Sequence, residues 1–165
     1  MNNQAIVGDP TSGYDLPVWD LSDLYHGTDS PDLERDLAAA EAAADAFTQD
    51  YKGMLVTLRP DEFGDAIREF ENLNECLSRM MSYAQLLFAA NSEDAEVTAF
   101  YQNISERVTA VSAKTLFFEL EINRLGDTRI EVLLSSPAVG RYTPWLDTVR
   151  VYKPYQLSDD VEKLL

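Results

Sequence analysis

The sequence predicts an all-α fold, an array of three long antiparallel helices followed by shorter helices. Apolar residues recur at alternating spacings of three and four along most of the 165-residue chain, which is the period of one helix face. No stretch alternates with a period of two and no Asn-Gly hairpin signal occurs, so strands are not expected. The links between the apolar stripes are short, which favours antiparallel neighbours.

The first helix is predicted between Ser30 and Gly53. Ser30 is a suitable N-cap, Pro31 takes the first helical position, and Gly53 stands where a glycine commonly ends a helix. One apolar stripe joins the two ends and consists of Leu33, Leu37, Ala40, Ala44, Phe47 and Tyr51.

The second helix is predicted from about Pro60 to the break at Asn91-Ser92. Its main stripe consists of Phe63, Ile67, Phe70, Asn74, Leu77, Met81, Ala84 and Phe88, and a flanking row of Ala66, Leu73, Met80 and Leu87 widens the buried face. Asn74 is interpreted as a residue that sets the register or lies at the edge of the stripe, because a polar residue at such a position more often has that role than a catalytic one.

The third helix is predicted to start at a cap formed by Ser92 and the two acids that follow it, and to continue to Gly126. Its stripe is Val97, Tyr101, Ile104, Val108, Val111, Thr115, Phe118, Ile122 and Leu125. Asp127 is predicted to cap a short helix, and a further helix is predicted around residues 139–152. Such regular stripes could also form an extended coiled coil, but the Ala-rich first helix and the short later helices favour a compact array.

The formal charge of −16 excludes some classes of partner. Binding to phosphates or to an anionic membrane requires a basic surface, and the sequence has no basic stripe, so we expect neither nucleic acid nor membrane partners. A solvated acidic surface is the favoured interpretation of the charge, and adaptation to high salt is the alternative.

Several features bear on location and domain boundaries. Cys76 is the one cysteine, so no internal disulfide is expected, and its place in a helical pattern indicates a small core residue. No apolar run approaches the length of a membrane span. Residues 1–18 have neither a basic nor an apolar signal region and are interpreted as a flexible lead-in, which predicts a cytoplasmic protein.

The chain is predicted to hold no catalytic, cofactor-binding or metal-binding residue. An HExxH zinc site needs two histidines, and the chain has only His26, which we expect in a solvent-facing loop. A zinc finger would need more cysteines. Neither a G-x-S-x-G nucleophile motif nor a glycine-rich phosphate loop occurs.

Paired carboxylates are the remaining candidates for chemistry. Glu71 with Glu75 and Asp61 with Asp65 are i,i+4 pairs, but both pairs fall off the apolar stripe and are interpreted as residues of a solvated face. Residues 9–15, DPTSGYD, lack most of the acidic ligands of a calcium loop, so a calcium site is not expected there.

Two segments carry a family resemblance. WDLSDLY at residues 19–25 precedes a capped, Ala-rich helix, and residues 142–165 read YTPWLDTVRVYKPYQLSDDVEKLL. Together they resemble oligoendopeptidase F, of the thimet-oligopeptidase-like zinc peptidases, whose usual pattern here is R-x-x-K-P-H-x-L-S followed by acids and Glu-x-Leu-Leu. The matching residues are Arg150, Lys153, Pro154, Leu157, Ser158, Glu162, Leu164 and Leu165. Tyr155 departs from the pattern, where the family commonly has histidine.

The resemblance implies that residues 19–157 are the non-catalytic N-terminal helical domain of a zinc metallopeptidase that hydrolyses short peptides. In that family the HExxH zinc site belongs to a later catalytic region, which would be the partner of this chain and form the other side of a substrate channel. On this interpretation residues 158–165 begin a further helix that is truncated, and the chain alone is inactive.

Other functions stay open from the sequence. The alternative is a stand-alone acidic helical module that binds a partner helix in an apolar groove. A complete small enzyme that uses scattered carboxylates is a third. A homodimer through exposed apolar faces is also open, and the side chains we expect on that face are Trp145, Val149, Tyr152, Tyr155, Leu164 and Leu165.

Overall fold

A computed structural model of the chain describes residues 6–7, 19–157 and 161. These residues are helical apart from their loops and one short antiparallel pair, in which β1 (Ile6–Val7) lies beside β2 (Trp19–Asp20). The all-α prediction is confirmed, although no sequence pattern indicated the strand pair. Most of the predicted lead-in over residues 1–18, and the predicted helix start at Ser158, lie outside the described residues.

Three long helices precede the shorter ones, as predicted. The elements are α1 (Pro31–Tyr51), α2 (Pro60–Ala90), α3 (Ala95–Thr115), α4 (Phe117–Arg124), α5 (Asp127–Leu134), α6 (Pro137–Gly140), α7 (Thr143–Val151) and a 3-10 turn (Lys153–Tyr155).

The two ends of α1 are those that the sequence predicts. The Ser30 carbonyl accepts hydrogen bonds from the backbone N–H groups of Leu33 and Glu34, so the helix begins at Pro31. After α1 ends, Gly53 adopts φ of +80°, a left-handed conformation in which a side chain would be strained.

The third predicted helix is interrupted, so the prediction of one helix up to Gly126 is wrong. Helix α3 ends at Thr115 and α4 begins at Phe117. The Thr115 hydroxyl donates to the Ser112 carbonyl, which also accepts from the N–H of Leu116. A threonine hydroxyl that bonds the preceding turn often bends a helix, and this bond lies at the break.

One predicted cap is narrowed to a single residue and another is displaced. Of the predicted capping residues Ser92, Glu93 and Asp94, it is Asp94 whose Oδ1 accepts from the N–H groups of Glu96 at 2.8 Å and Val97 at 3.3 Å. Gly126 is the N-cap of α5, so Asp127 lies in the first turn, where its negative charge is favourable.

The described residues form two compact units, and each long helix contributes to both. Unit 1 comprises the described parts of Met1–Ala42 and Asn74–Val111, and unit 2 those of Ala43–Leu73 and Ser112–Leu165. Helices α1 and α2 are antiparallel: Asp36 pairs with Arg79 in unit 1, and Phe47 packs on Phe70 in unit 2.

The core of unit 1 is formed by the apolar stripes of its helices together with the segment that precedes α1. Its buried residues include Leu21, Tyr25, Leu33, Leu37, Leu77, Met80, Tyr83, Ala84, Leu87 and Ile104. Tyr83, which the predicted stripes omit, is fully buried and packs edge-on against Tyr25 with ring centroids 5.3 Å apart.

The core of unit 2 is built around aromatic rings. Phe118 is fully buried, and its ring centroid lies 5.1 Å from that of Phe47 and 5.0 Å from that of Phe70. Trp145 stacks on Phe118 at 6.3 Å and is partly buried. Val149 is buried in the same cluster, so the prediction that Trp145 and Val149 belong to an exposed face is wrong.

The remaining side chains of that predicted face behave differently. Tyr152 is 65% exposed and Tyr155 is 77% exposed, as expected for the face. Leu164 and Leu165 lie outside the described residues.

Candidate functional site

The side chains considered for chemistry from the sequence do not come together in one site. His26 is exposed in the loop before α1, as predicted, and the four carboxylates Asp61, Asp65, Glu71 and Glu75 are exposed on α2. Within residues 6–7, 19–157 and 161, no group of three or more His, Cys, Asp or Glu side chains is placed to hold a metal ion.

Two of those carboxylates have structural partners in unit 2. The Tyr142 hydroxyl donates to Glu71 Oε2 at 3.2 Å, and the Ser136 hydroxyl donates to Asp61 Oδ1 at 3.2 Å. Ser136 is the N-cap of α6 and Tyr142 the N-cap of α7, so each bond connects α2 with the start of a later helix, and these acids stabilise the fold rather than form an acid–base pair.

Tyr25, from the WDLSDLY segment, belongs to a polar network in unit 1. Asp36 Oδ2 accepts from the Tyr25 hydroxyl at 3.1 Å and from Arg79 Nη2 at 2.6 Å, and Arg79 Nε donates to the Tyr25 oxygen at 3.1 Å. Burial is the main cause that raises the pKa of Tyr25. The network attaches the segment before α1 to α1 and α2, so its role is structural.

Cys76 borders this network and is half-buried, not a fully buried core residue as predicted. Its Sγ lies 3.9 Å from the Asp36 carbonyl oxygen. Burial raises the pKa of the thiol, which disfavours the thiolate that a nucleophile requires.

The described part of unit 2 contains an open groove with a volume of about 430 Å³. Helix α4 with the residue before it forms one wall, and α7 with the 3-10 turn and the residues after it forms the other. The groove is lined by Leu116, Glu119, Leu120, Asn123, Trp145, Thr148, Val149, Tyr152, Tyr155, Gln156 and Leu157.

Two polar side chains of α4 enter this groove from positions one helical turn apart. Glu119 is half-buried, and burial alone raises the pKa of its carboxyl. Asn123 is only 6% exposed, and no described residue donates a hydrogen bond to its Oδ1. Residues four apart on a helix share one face, so the two side chains lie side by side on α4, with Asn123 Oδ1 itself shielded from solvent.

The opposite wall is aromatic and apolar. Trp145 is fixed by its stack on Phe118, whereas the rings of Tyr152 and Tyr155 are largely exposed. Gln156 Nε2 donates to the Leu120 carbonyl at 3.1 Å, which connects the residues after the 3-10 turn to α4. The groove therefore has a partly buried ring, that of Trp145, and an exposed aromatic edge formed by Tyr152 and Tyr155.

Arg150 and Lys153, which carry the R-x-x-K-P pattern, support the end of α4 rather than line the groove. Arg150 Nη1 donates to the carbonyls of Ile122 at 2.9 Å and Leu125 at 3.1 Å. Arg150 Nη2 and Lys153 Nζ both reach Asp127 Oδ1, at 2.5 and 2.9 Å. The cations satisfy carbonyls at the C-terminus of a helix, where positive charge is favourable. The hydrogen bond from Lys153, followed by the charge of the two cations, lowers the pKa of Asp127.

Sequence reasoning did not identify Glu119 and Asn123. Each follows an apolar stripe residue, Phe118 or Ile122, and polar residues beside a stripe are ordinarily solvated. Their spacing of four was visible, but only the packing of α7 beside α4 shows that they are covered.

Comparison with known proteins gives one family match. The family described as oligopeptidase F matches residues 121–165 through its N-terminal region. These residues are similar to that region, as the motif at 142–165 predicted, and they are less than half of the chain. The match begins in α4, so it includes most of the groove residues but not the WDLSDLY segment. No curated protein and no solved structure matches the chain. No helix in the described part of the chain is both long and apolar enough to cross a membrane.

Proposed function

We propose that this chain is the non-catalytic N-terminal helical portion of an oligoendopeptidase F-like zinc metallopeptidase that hydrolyses short peptides. In this proposal the helices form one wall of the substrate channel, and a separate catalytic region supplies the zinc site. The short-peptide substrates, the channel and a cytoplasmic location are all parts of the proposal.

The observation that carries the proposal is the match of residues 121–165 to the family, together with the role of the motif residues inside it. Arg150 and Lys153 connect α7 and the turn after it to the end of α4 and to Asp127 of α5, so the motif residues maintain the fold of this chain. Residues that maintain a fold, rather than perform chemistry, are expected in a domain that shapes a channel.

The residues of this chain do not fit the catalytic zinc that the family implies. Its HExxH site needs two histidines on one helix, and the single histidine, His26, lies in a loop. No step of peptide hydrolysis is therefore assigned to any residue of the chain.

Peptide hydrolysis by the purified chain tests this assignment. The substrate is a quenched fluorescent peptide with and without added zinc, and a zinc endopeptidase serves as the positive control. We expect no zinc-dependent turnover. Turnover that survives purification and disappears on addition of a chelator would show that the chain is catalytic.

A further inference from the structure

We draw no further inference here: the strongest candidate, the open groove of unit 2 between α4 and α7 with the half-buried Glu119 in one wall and exposed tyrosine rings along the other, carries none, because nothing in the structure shows what covers it.

Discussion

Replacement of Arg150 by methionine tests whether the family-like motif is structural. The Arg150 side chain is 14% exposed and donates to two backbone carbonyls at the end of α4, those of Ile122 and Leu125. Methionine keeps the apolar stem but leaves both carbonyls without this donor. A hydrogen bond to a charged group contributes about 1.5–3 kcal/mol, so we expect Arg150→Met to lower the free energy of unfolding by about 3 kcal/mol.

Lys153→Met is the matched comparison, because it also removes a positive charge that contacts Asp127. The Lys153 side chain is 38% exposed, and its contact with the Leu125 carbonyl is long at 3.4 Å. Its ion pair is with the exposed Asp127, and such pairs contribute little. We therefore expect the loss on Lys153→Met to be roughly a third of the loss on Arg150→Met, or smaller.

Urea unfolding measured by circular dichroism, and by Trp145 fluorescence in a Trp19→Phe background, provides both free energies. A loss of about 3 kcal/mol corresponds to a melting temperature lower by roughly 6–12 °C in a chain of this size. Equal losses for the two variants, or a loss under about 1 kcal/mol for Arg150→Met, would refute the capping role.

The other predictions concern single positions and the overall charge. Burial raises the pKa of the Glu119 carboxyl, so Glu119→Gln should raise the melting temperature near pH 7. The protonated Glu119 carboxyl is the form that the folded state favours, so lowering the pH through the raised pKa stabilises the original chain. The difference in melting temperature between Glu119→Gln and the original chain should therefore shrink as the pH falls. A difference that stays constant with pH would contradict this prediction. Gly53→Ala should lower the free energy of unfolding by about 1 kcal/mol, because alanine is strained at φ of +80°. Gly126→Ala is the control and should leave that free energy nearly unchanged, because φ is −66° there. Equal effects of the two substitutions in urea unfolding would contradict this prediction. If the acidic excess reflects salt adaptation, the melting temperature should rise between about 0.1 and about 2 M KCl by more than that of an uncharged control protein.

The long helices were predictable because each depends mainly on its own pattern. The stripe of α1 from Leu33 to Phe47 is buried as predicted, and Gly53 ends the segment for a reason that is local to its backbone. The break at Leu116 was not predictable from the apolar stripe, which continues through it without a change of spacing. The Thr115 hydroxyl bonds the Ser112 carbonyl at this point, and such a bond, which often bends a helix, leaves no mark in the apolar pattern.

The groove could not be predicted because it depends on contacts between distant segments. Glu119 and Asn123 become covered when residues about 25 to 35 positions later pack beside α4, and Gln156 completes that contact through the Leu120 carbonyl. The exposed rings of Tyr152 and Tyr155 were anticipated from their apolar character. The burial of Val149 was not, because one short helix leaves open which of its apolar residues face inward.

The proposed function makes this chain one part of a zinc peptidase whose chemistry resides in another region. Its most direct test joins the chain to the region encoded after residue 165 in the gene and measures zinc-dependent hydrolysis of a quenched fluorescent peptide. The comparison proteins are the same product without residues 19–157 and the chain alone. We expect an HExxH motif in the added region and turnover only in the joined protein. A gene without that motif, or full turnover after residues 19–157 are deleted, would contradict it.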